Sequence, residues 1–230
     1  MTRTANFSSS SIWKLTTSDR KGTGFGAPAL KYIKEKQREK RLGRSIQNEI
    51  NGQEVWWGKL NEPRVFGMLP LEYDFEAKIR YAHKTITNWT GMPDTIRPDV
   101  VGDIKCPFSL NSFCDAVDSF GDIEEFKKSK VEWYWQLVSN AILCEKSKAE
   151  IIVYVPYKSE LEDIRDACAM FDGNQNKVAR FGFAEDDDMP YLVEGNHYKN
   201  LNIFQFDVLQ DDIDYLTERV KLAVELLNNN

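Results

Sequence analysis

The stretch Met92-Pro-Asp-Thr-Ile-Arg-Pro-Asp-Val-Val-Gly-Asp-Ile-Lys-Cys-Pro-Phe108 decides how this chain folds. Short segments of Thr, Ile and Val are broken by Pro, Asp and Gly, which predicts antiparallel strands joined by tight turns. Side chains alternate along a strand, so Asp103 and Lys105 face one side while Ile104 points into the core. Eight residues separate Asp94 from Asp103. One turn between adjacent strands would bring Asp94 to that same side. Asp99 is too close to Asp103 for a strand and a return, and reads as a turn residue.

Outward from this centre, the strand-like pattern reaches back to about Tyr73. Upstream, Pro28 in a first turn predicts a helix through Arg41 that ends near Gly43. A second helix is expected over Val55 to Met68, bent or interrupted at Pro63. The Gly-rich segment 22–26 lacks the spacing of a phosphate loop and reads as a flexible connector. Downstream, residues 130–145 predict a long apolar-rich helix, Glu150 to Tyr157 a buried strand, and Lys158 to Met170 a helix. Leu201 to Phe206 is strand-like, Gln210 to Leu227 an amphipathic helix, and Glu185 to Asp188 an exposed acidic loop. This mixture without regular βαβ alternation predicts an α/β sandwich around a mixed sheet. With 230 residues, 42% of them apolar, one domain spanning 1–230 is expected.

Composition narrows the classes of function. Apolar runs far shorter than about 20 residues argue against a membrane span, and the N-terminal residues have no apolar signal core. A protein of the bacterial or phage-infected cytoplasm is expected, with no membrane partner. Cys106, Cys114, Cys144 and Cys168 are scattered and read as reduced thiols rather than a disulfide or zinc framework. The net charge of −6 opposes a general nucleic-acid coat. Residues 31–44, however, hold seven basic residues against two Glu. Such a strip could guide a phosphate backbone, or it could be a solvated helix face with Glu and Lys paired at helical spacing.

Two carboxylates and an ammonium sharing a small space suit phosphodiester hydrolysis. Hard oxygen ligands hold Mg²⁺, which polarises phosphate and lowers the pKa of bound water. An acid-x-Lys triplet is weak alone and occurs four times, at Asp19, Glu76, Asp103 and Glu125. Only the triplet at Asp103 follows a Pro-Asp pair at hairpin distance. The residues by themselves leave two readings open, a metal site and a structural cluster of ion pairs.

The Asp-Ile-Lys-Cys-Pro-Phe continuation resembles the core of the lambda exonuclease and YqaJ family, within the PD-(D/E)xK nucleases. Three further blocks follow that family's order. Trp57 to Glu62 (WGKLNE) resembles its Trp-Gly-Lys-x-x-Glu helix, Arg3 to Ser10 its phosphate-binding Arg and Ser, and Trp133 to Gln136 its aromatic-x-x-Gln helix. The resemblance implies a restriction-endonuclease-like mixed β-sheet flanked by helices. It implies Glu62, Asp94, Asp103 and the Ile104 carbonyl as ligands of Mg²⁺, with Mn²⁺ as a substitute. Lys105 becomes catalytic base or stabiliser, Gln136 a neighbour of the metal, and Arg3 and Ser10 holders of the terminal phosphate. Lys31, Lys34, Arg38 and Arg41 are expected as backbone contacts. The implied activity is 5′-to-3′ exonucleolysis of linear double-stranded DNA in phage-type recombination. The implied partners are DNA ends and a single-strand annealing protein, with a homotrimer as assembly. An endonuclease on the same site, or a DNA-end-binding adaptor with weak catalysis, stays open beside it. The chain departs from the family at Asp103 (usually Glu), Thr95 (usually Gly) and Val138 (frequently Gln).

Overall fold

The computed structural model describes residues 4–46, 52–70, 72–73 and 79–229. At its centre is a four-stranded mixed sheet in the order β4-β5-β6-β7. These strands are Thr95–Ile96, Val100–Lys105, Lys148–Tyr154 and Leu201–Asp207. The β4/β5 pair is antiparallel, closed by a turn in which Arg97 N–H donates to the Val100 carbonyl at 2.8 Å. Asp99 lies in that turn, as its sequence context predicts. The β5/β6 pair is parallel and β6/β7 antiparallel, with Asp103 beside Ile151 and Lys105 beside Val153.

The parallel β5/β6 pair requires a long crossover, supplied by α3 (Leu110–Asp118), α4 (Ile123–Ser129) and α5 (Val131–Cys144). Ser109 caps α3 by accepting from Ser112 N–H, and Asp122 caps α4 by accepting from Glu124 and Glu125. Both faces of the sheet are covered, which explains the unbroken apolar run in β6. On one face, Val101, Ile151 and Val153 pack with Leu137 and Val138 of α5. Leu216 and Val220 of α8 (Gln210–Asn228) extend this cluster. On the other face, Ile104, Ile152 and Tyr154 meet Trp57 and Leu60 of α2 (Gln53–Met68). Leu161 of α6 (Leu161–Met170) and Phe181 of α7 (Gln175–Gly182) complete that layer. The expected mixed sheet flanked by helices is therefore present.

Several expectations are corrected in detail. Helix α2 runs through Pro63 rather than being interrupted there. Strand β6 starts at Lys148 and stops at Tyr154, ahead of Pro156, not at Tyr157. The 22–26 segment is not merely a connector, because Ser18 and Phe25 bridge across it and Arg219 donates to the Gly24 carbonyl. The acidic run forms a 3₁₀ turn over Asp186–Asp188, with Asp186 paired to Arg165 and Lys158. Part of the Tyr73 to Phe108 stretch joins a separate small sheet, β1-β3-β2, made from Phe7–Ser8, Trp89–Gly91 and Tyr81–Ala82. In it β1 runs parallel to β3, carrying the N-terminal segment to the centre of the molecule.

Helix α1 (Ala27–Leu42) has Pro28 in its first turn and ends at Gly43, whose φ of 67° is left-handed. Glycine pays no Cβ penalty there, which accounts for the stop. The basic strip keeps a Glu–Lys pair at helical spacing, but that pair is buried rather than solvated. Lys36 and Glu39 are buried and paired at 3.1 Å, while Lys31, Lys34, Arg38 and Arg41 are exposed. All four cysteines are free thiols. No helix among the described residues is long and apolar enough to cross a membrane.

Candidate active site

Residues from β5, α5 and the segment before β4 converge at one end of the sheet. Alternation on β5 turns Asp103 and Lys105 toward α5. There Gln136 Nε2 donates to Asp103 Oδ1 at 2.6 Å, and Lys105 Nζ donates to Gln136 Oε1 at 3.2 Å. Lys105 also forms an ion pair with Asp103 Oδ2. The three side chains thus close a triangle in which the amide offers its donor to the carboxylate and its acceptor to the ammonium. Lys105 thereby supplies Asp103 Oδ2 with its countercharge. Asp103 is only 2% exposed.

Asp94 enters from the start of the β-hairpin. Its N–H donates to the Gly102 carbonyl at 3.0 Å, and its Oδ2 accepts from Ile104 N–H at 2.9 Å. Amide and carbonyl of one strand residue face the same edge, so the Ile104 carbonyl is turned toward Asp94. Burial pushes the Asp94 carboxyl well above the ordinary carboxylate range. Asp103 and then Glu62 push it further, against the opposing pull of Lys105 and the Ile104 amide. Burial pulls the Lys105 ammonium down, but Asp103 and Asp94 outweigh it and hold the group protonated.

Glu62, on α2, is near enough for its charge to act on both Asp94 and Cys106. Among the described residues, no three His, Cys, Asp or Glu side chains form a closed metal cage. Mg²⁺ does not need one, since it is commonly bound by one or two carboxylates with water and substrate phosphate. Two neighbouring carboxylates, buried Asp103 and half-buried Asp94, whose charges repel and are further opposed by Glu62, suit such a cation.

Ser10 lines a cavity of ≈ 190 Å³ with Ser8, Ser9, Arg80, Gly91 and Gln136. Gln136 therefore joins the acidic cluster to the serine-rich segment. Trp133 lies one turn before Gln136, half-buried under the Lys130 ammonium, and makes no bond to the acids. Arg3 falls outside the described residues. Lys31, Lys34, Arg38 and Arg41 project from α1, which packs on the Ser9–Thr16 3₁₀ helix and on α8 rather than on the acidic cluster.

Sequence reading missed Arg80 and Asn140. Arg80 sits in no motif. Asn140 is fully buried with neither side-chain polar atom hydrogen-bonded, and a Cβ on Gly91 would meet its Oδ1 at 2.4 Å. A signal for Asn140 was available, since it follows Gln136 by four residues and shares its helix face.

No protein-family model and no curated protein matches the chain. Solved structures do. The alkaline exonuclease LHK-Exo from Laribacter hongkongensis aligns with 99% of this chain and 90% of its own, at 14% identity and a TM-score of 0.61. The crystal structure of LHK-Exo in complex with dAMP gives the same values. A phage-related exonuclease from Haemophilus somnus 129PT aligns with 97% of this chain and 94% of its own, at 15% identity and a TM-score of 0.62. The chain has the fold of these exonucleases. Agreement over nearly the whole of both partners extends the likeness past the quoted motifs to residues 145–230, for which the sequence offers only general architecture.

Two predictions arise from this geometry. Gln136→Leu removes the amide that orients both Asp103 and Lys105, and should lower kcat/KM for DNA hydrolysis by about 10- to 100-fold with little change in Tm. The second uses Asp94. Its folded-state carboxyl is raised, so its stabilising contribution is fully present below the unfolded value of 3.8 and is lost as pH rises through the higher folded value. Asp94→Asn, which resembles the protonated acid, should therefore melt above the parent at pH 7 in EDTA. That advantage should shrink as the pH falls toward the unfolded value.

Proposed function

We propose that this chain is a metal-dependent exonuclease that hydrolyses one strand of linear double-stranded DNA from its 5′ end. The supporting observation is the closed Asp103–Lys105–Gln136 triangle, with Asp94 tied to the same strand, in a fold shared with exonucleases. Asp94 and Asp103, with Glu62 and the Ile104 carbonyl alongside, would hold Mg²⁺ or Mn²⁺. When bound, that ion supplies an electrophile for the phosphate and an acidified water.

The protein's own residues do the positioning. Asp103 fixes the Lys105 ammonium and the Gln136 amide, so neither must reorganise when charge develops on phosphorus. Lys105, held protonated, acts as stabiliser of that charge rather than as base. Gln136 orients Asp103 from one side while bordering the Ser10 cavity on the other. That cavity receives the terminal phosphate, with Ser10 and Arg80 as donors. Arg80→Ala should lower kcat/KM on 5′-phosphorylated ends by about 10- to 100-fold, through loss of a charge-assisted hydrogen bond. Ends carrying a 5′-hydroxyl should be nearly unaffected, and comparison of the two substrates checks this.

The exposed basic residues of α1 offer a path for the backbone on an otherwise acidic protein. A phage-type recombination role beside a single-strand annealing protein, and assembly as a homotrimer, complete the proposal. An endonuclease using the same site is separated by substrate form. Linear duplex should be consumed while a covalently closed circle survives, and cutting of the circle would favour the endonuclease. DNA binding with no hydrolysis in either metal would favour an end-binding adaptor.

A further inference from the structure

One polar row crosses all four strands of the central sheet. Thr95 of β4 stands beside Gly102 of β5, Gly102 beside Glu150 of β6, and Glu150 beside Gln205 of β7. Gly102 and Ile104 are two residues apart, so the row lies on the α2 face, opposite Asp103. Arg97, from the turn between β4 and β5, donates to Glu150 Oε2 at 2.5 Å and to Gln205 Oε1 at 2.9 Å. We infer that this row holds Asp94 in place as a ligand for the metal ion, with Thr95 and Glu150 as positioning residues. The inference rests on the metal-dependent reading above.

Asp94 sits where the sheet constrains it least. It precedes a strand of two residues, Thr95–Ile96, and among the described residues no strand pairs with the outer side of β4. Before a cation binds, Asp103 and Glu62 repel its carboxylate. Its own ties to β5 are the bonds with the Gly102 carbonyl and the Ile104 amide. A ligand pushed outward from a short edge strand needs an anchor deeper in the sheet.

The row supplies that anchor. Thr95, next in the chain, is fully buried, and its hydroxyl donates to Glu150 Oε1 at 3.5 Å. Gly102 leaves room for this reach, since a Cβ there would collide with Thr95 Oγ1 and come within 3.0 Å of the Glu150 side chain. Glu150 is fully buried and is fixed in turn by Arg97 and by the Tyr73 hydroxyl, which donates at 3.3 Å. Thr95 and Arg97 flank Ile96, so Glu150 grips the hairpin at two points within three residues of Asp94. Outward movement of Asp94 would pull Thr95 from its place and strip a partner from a buried carboxylate, which is costly in a low-dielectric interior. Residues that hold a ligand in this way commonly tune metal affinity by about 10- to 100-fold.

The test uses the full chain without DNA and follows Mn²⁺ binding through the electron paramagnetic resonance signal of the free ion. The parent is compared with Thr95→Val, Thr95→Ser, Glu150→Gln and Val220→Ala. Thr95→Val and Glu150→Gln should each weaken Mn²⁺ binding about tenfold. The Mn²⁺ concentration for half-maximal hydrolysis should rise by the same factor, with KM for linear duplex at saturating metal unchanged. Thr95→Ser keeps the hydroxyl and should bind as the parent does. Val220→Ala opens a cavity under α8 and lowers Tm, yet should also bind as the parent does, which separates positioning from loss of stability. If Glu150→Gln does not fold, Thr95→Val against Thr95→Ser still decides the matter. Parent-like binding in Thr95→Val would overturn the inference, as would an equal loss in Val220→Ala, in each case with metal dependence intact. A parent that neither binds Mn²⁺ nor hydrolyses DNA in its presence would overturn the metal-dependent reading, and the positioning role with it.

Discussion

Replacing Asp103 by Asn should reduce DNA hydrolysis about a thousandfold, some 4 kcal/mol of transition-state stabilisation, while the protein still folds. Asp103 accepts from Gln136 and pairs with Lys105, and so ties the two together with a buried carboxylate. Asn keeps the volume and one acceptor but loses the charge, so it weakens the grip on a cation and releases the Lys105 ammonium. The fold should survive because the Lys105 side chain is partly exposed and Asp94 remains nearby as a countercharge. Steady-state release of nucleotides from linear duplex measures the loss, and an unchanged circular dichroism spectrum checks the fold. Retention of a tenth or more of the activity would remove Asp103 from the centre of the account.

A comparably large effect is expected at a residue that touches none of these atoms. Glu39 is fully buried, and both of its oxygens lie 3.1 Å from Lys36 Nζ. Its Oε2 also accepts from Ala5 N–H at 3.0 Å, and its Oε1 from Ser45 Oγ at 3.3 Å. Glu39→Ala strands the nearly buried Lys36 ammonium without a partner, which costs about 3–5 kcal/mol. For a chain of this size that corresponds to a Tm lower by roughly 10 °C. The double change Lys36→Met with Glu39→Leu should recover much of the loss, because it removes both charges together. Thermal melts of the parent, the single variant and the double variant check this. The Ala5 bond also ties the segment leading to Ser8–Ser10 onto α1. The single variant should therefore bind DNA ends more weakly even below its melting temperature.

These two sites differ in how far the sequence exposes them. Asp103 and Lys105 are legible because strand alternation fixes their common side, and Pro93-Asp94 stands at hairpin distance. The ends of α1 are legible because Pro28 and Gly43 carry their backbone preferences with them. Glu39 is not legible in this way. A Lys and a Glu three apart on a helix ordinarily mark a solvated face, and only the distant Ala5 amide turns this pair into a buried clamp. Glu150 is similar. It stands at the edge of an apolar run, yet it is buried because Arg97, from the β4/β5 turn, reaches it at 2.5 Å.

The small sheet escaped sequence reading for a different reason. Strands of two or three residues are too short to show a period, and the β1/β3 pairing joins segments some 80 residues apart. Helices α3 and α4 did carry signals in their capping residues Ser109 and Asp122, but both helices are short. Arg80 could be placed beside Ser10 only once the fold had brought the two together.

The measurement that tests the central claim most directly is digestion of a linear duplex labelled at one 5′ end or one 3′ end. It is run with Mg²⁺ or with EDTA, beside the Asp103→Asn variant. The account predicts early loss of the 5′ label with Mg²⁺, persistence of the 3′ label until digestion crosses the duplex, and no loss with EDTA or the variant. Label loss that proceeds equally in EDTA, or equally in Asp103→Asn, would contradict it.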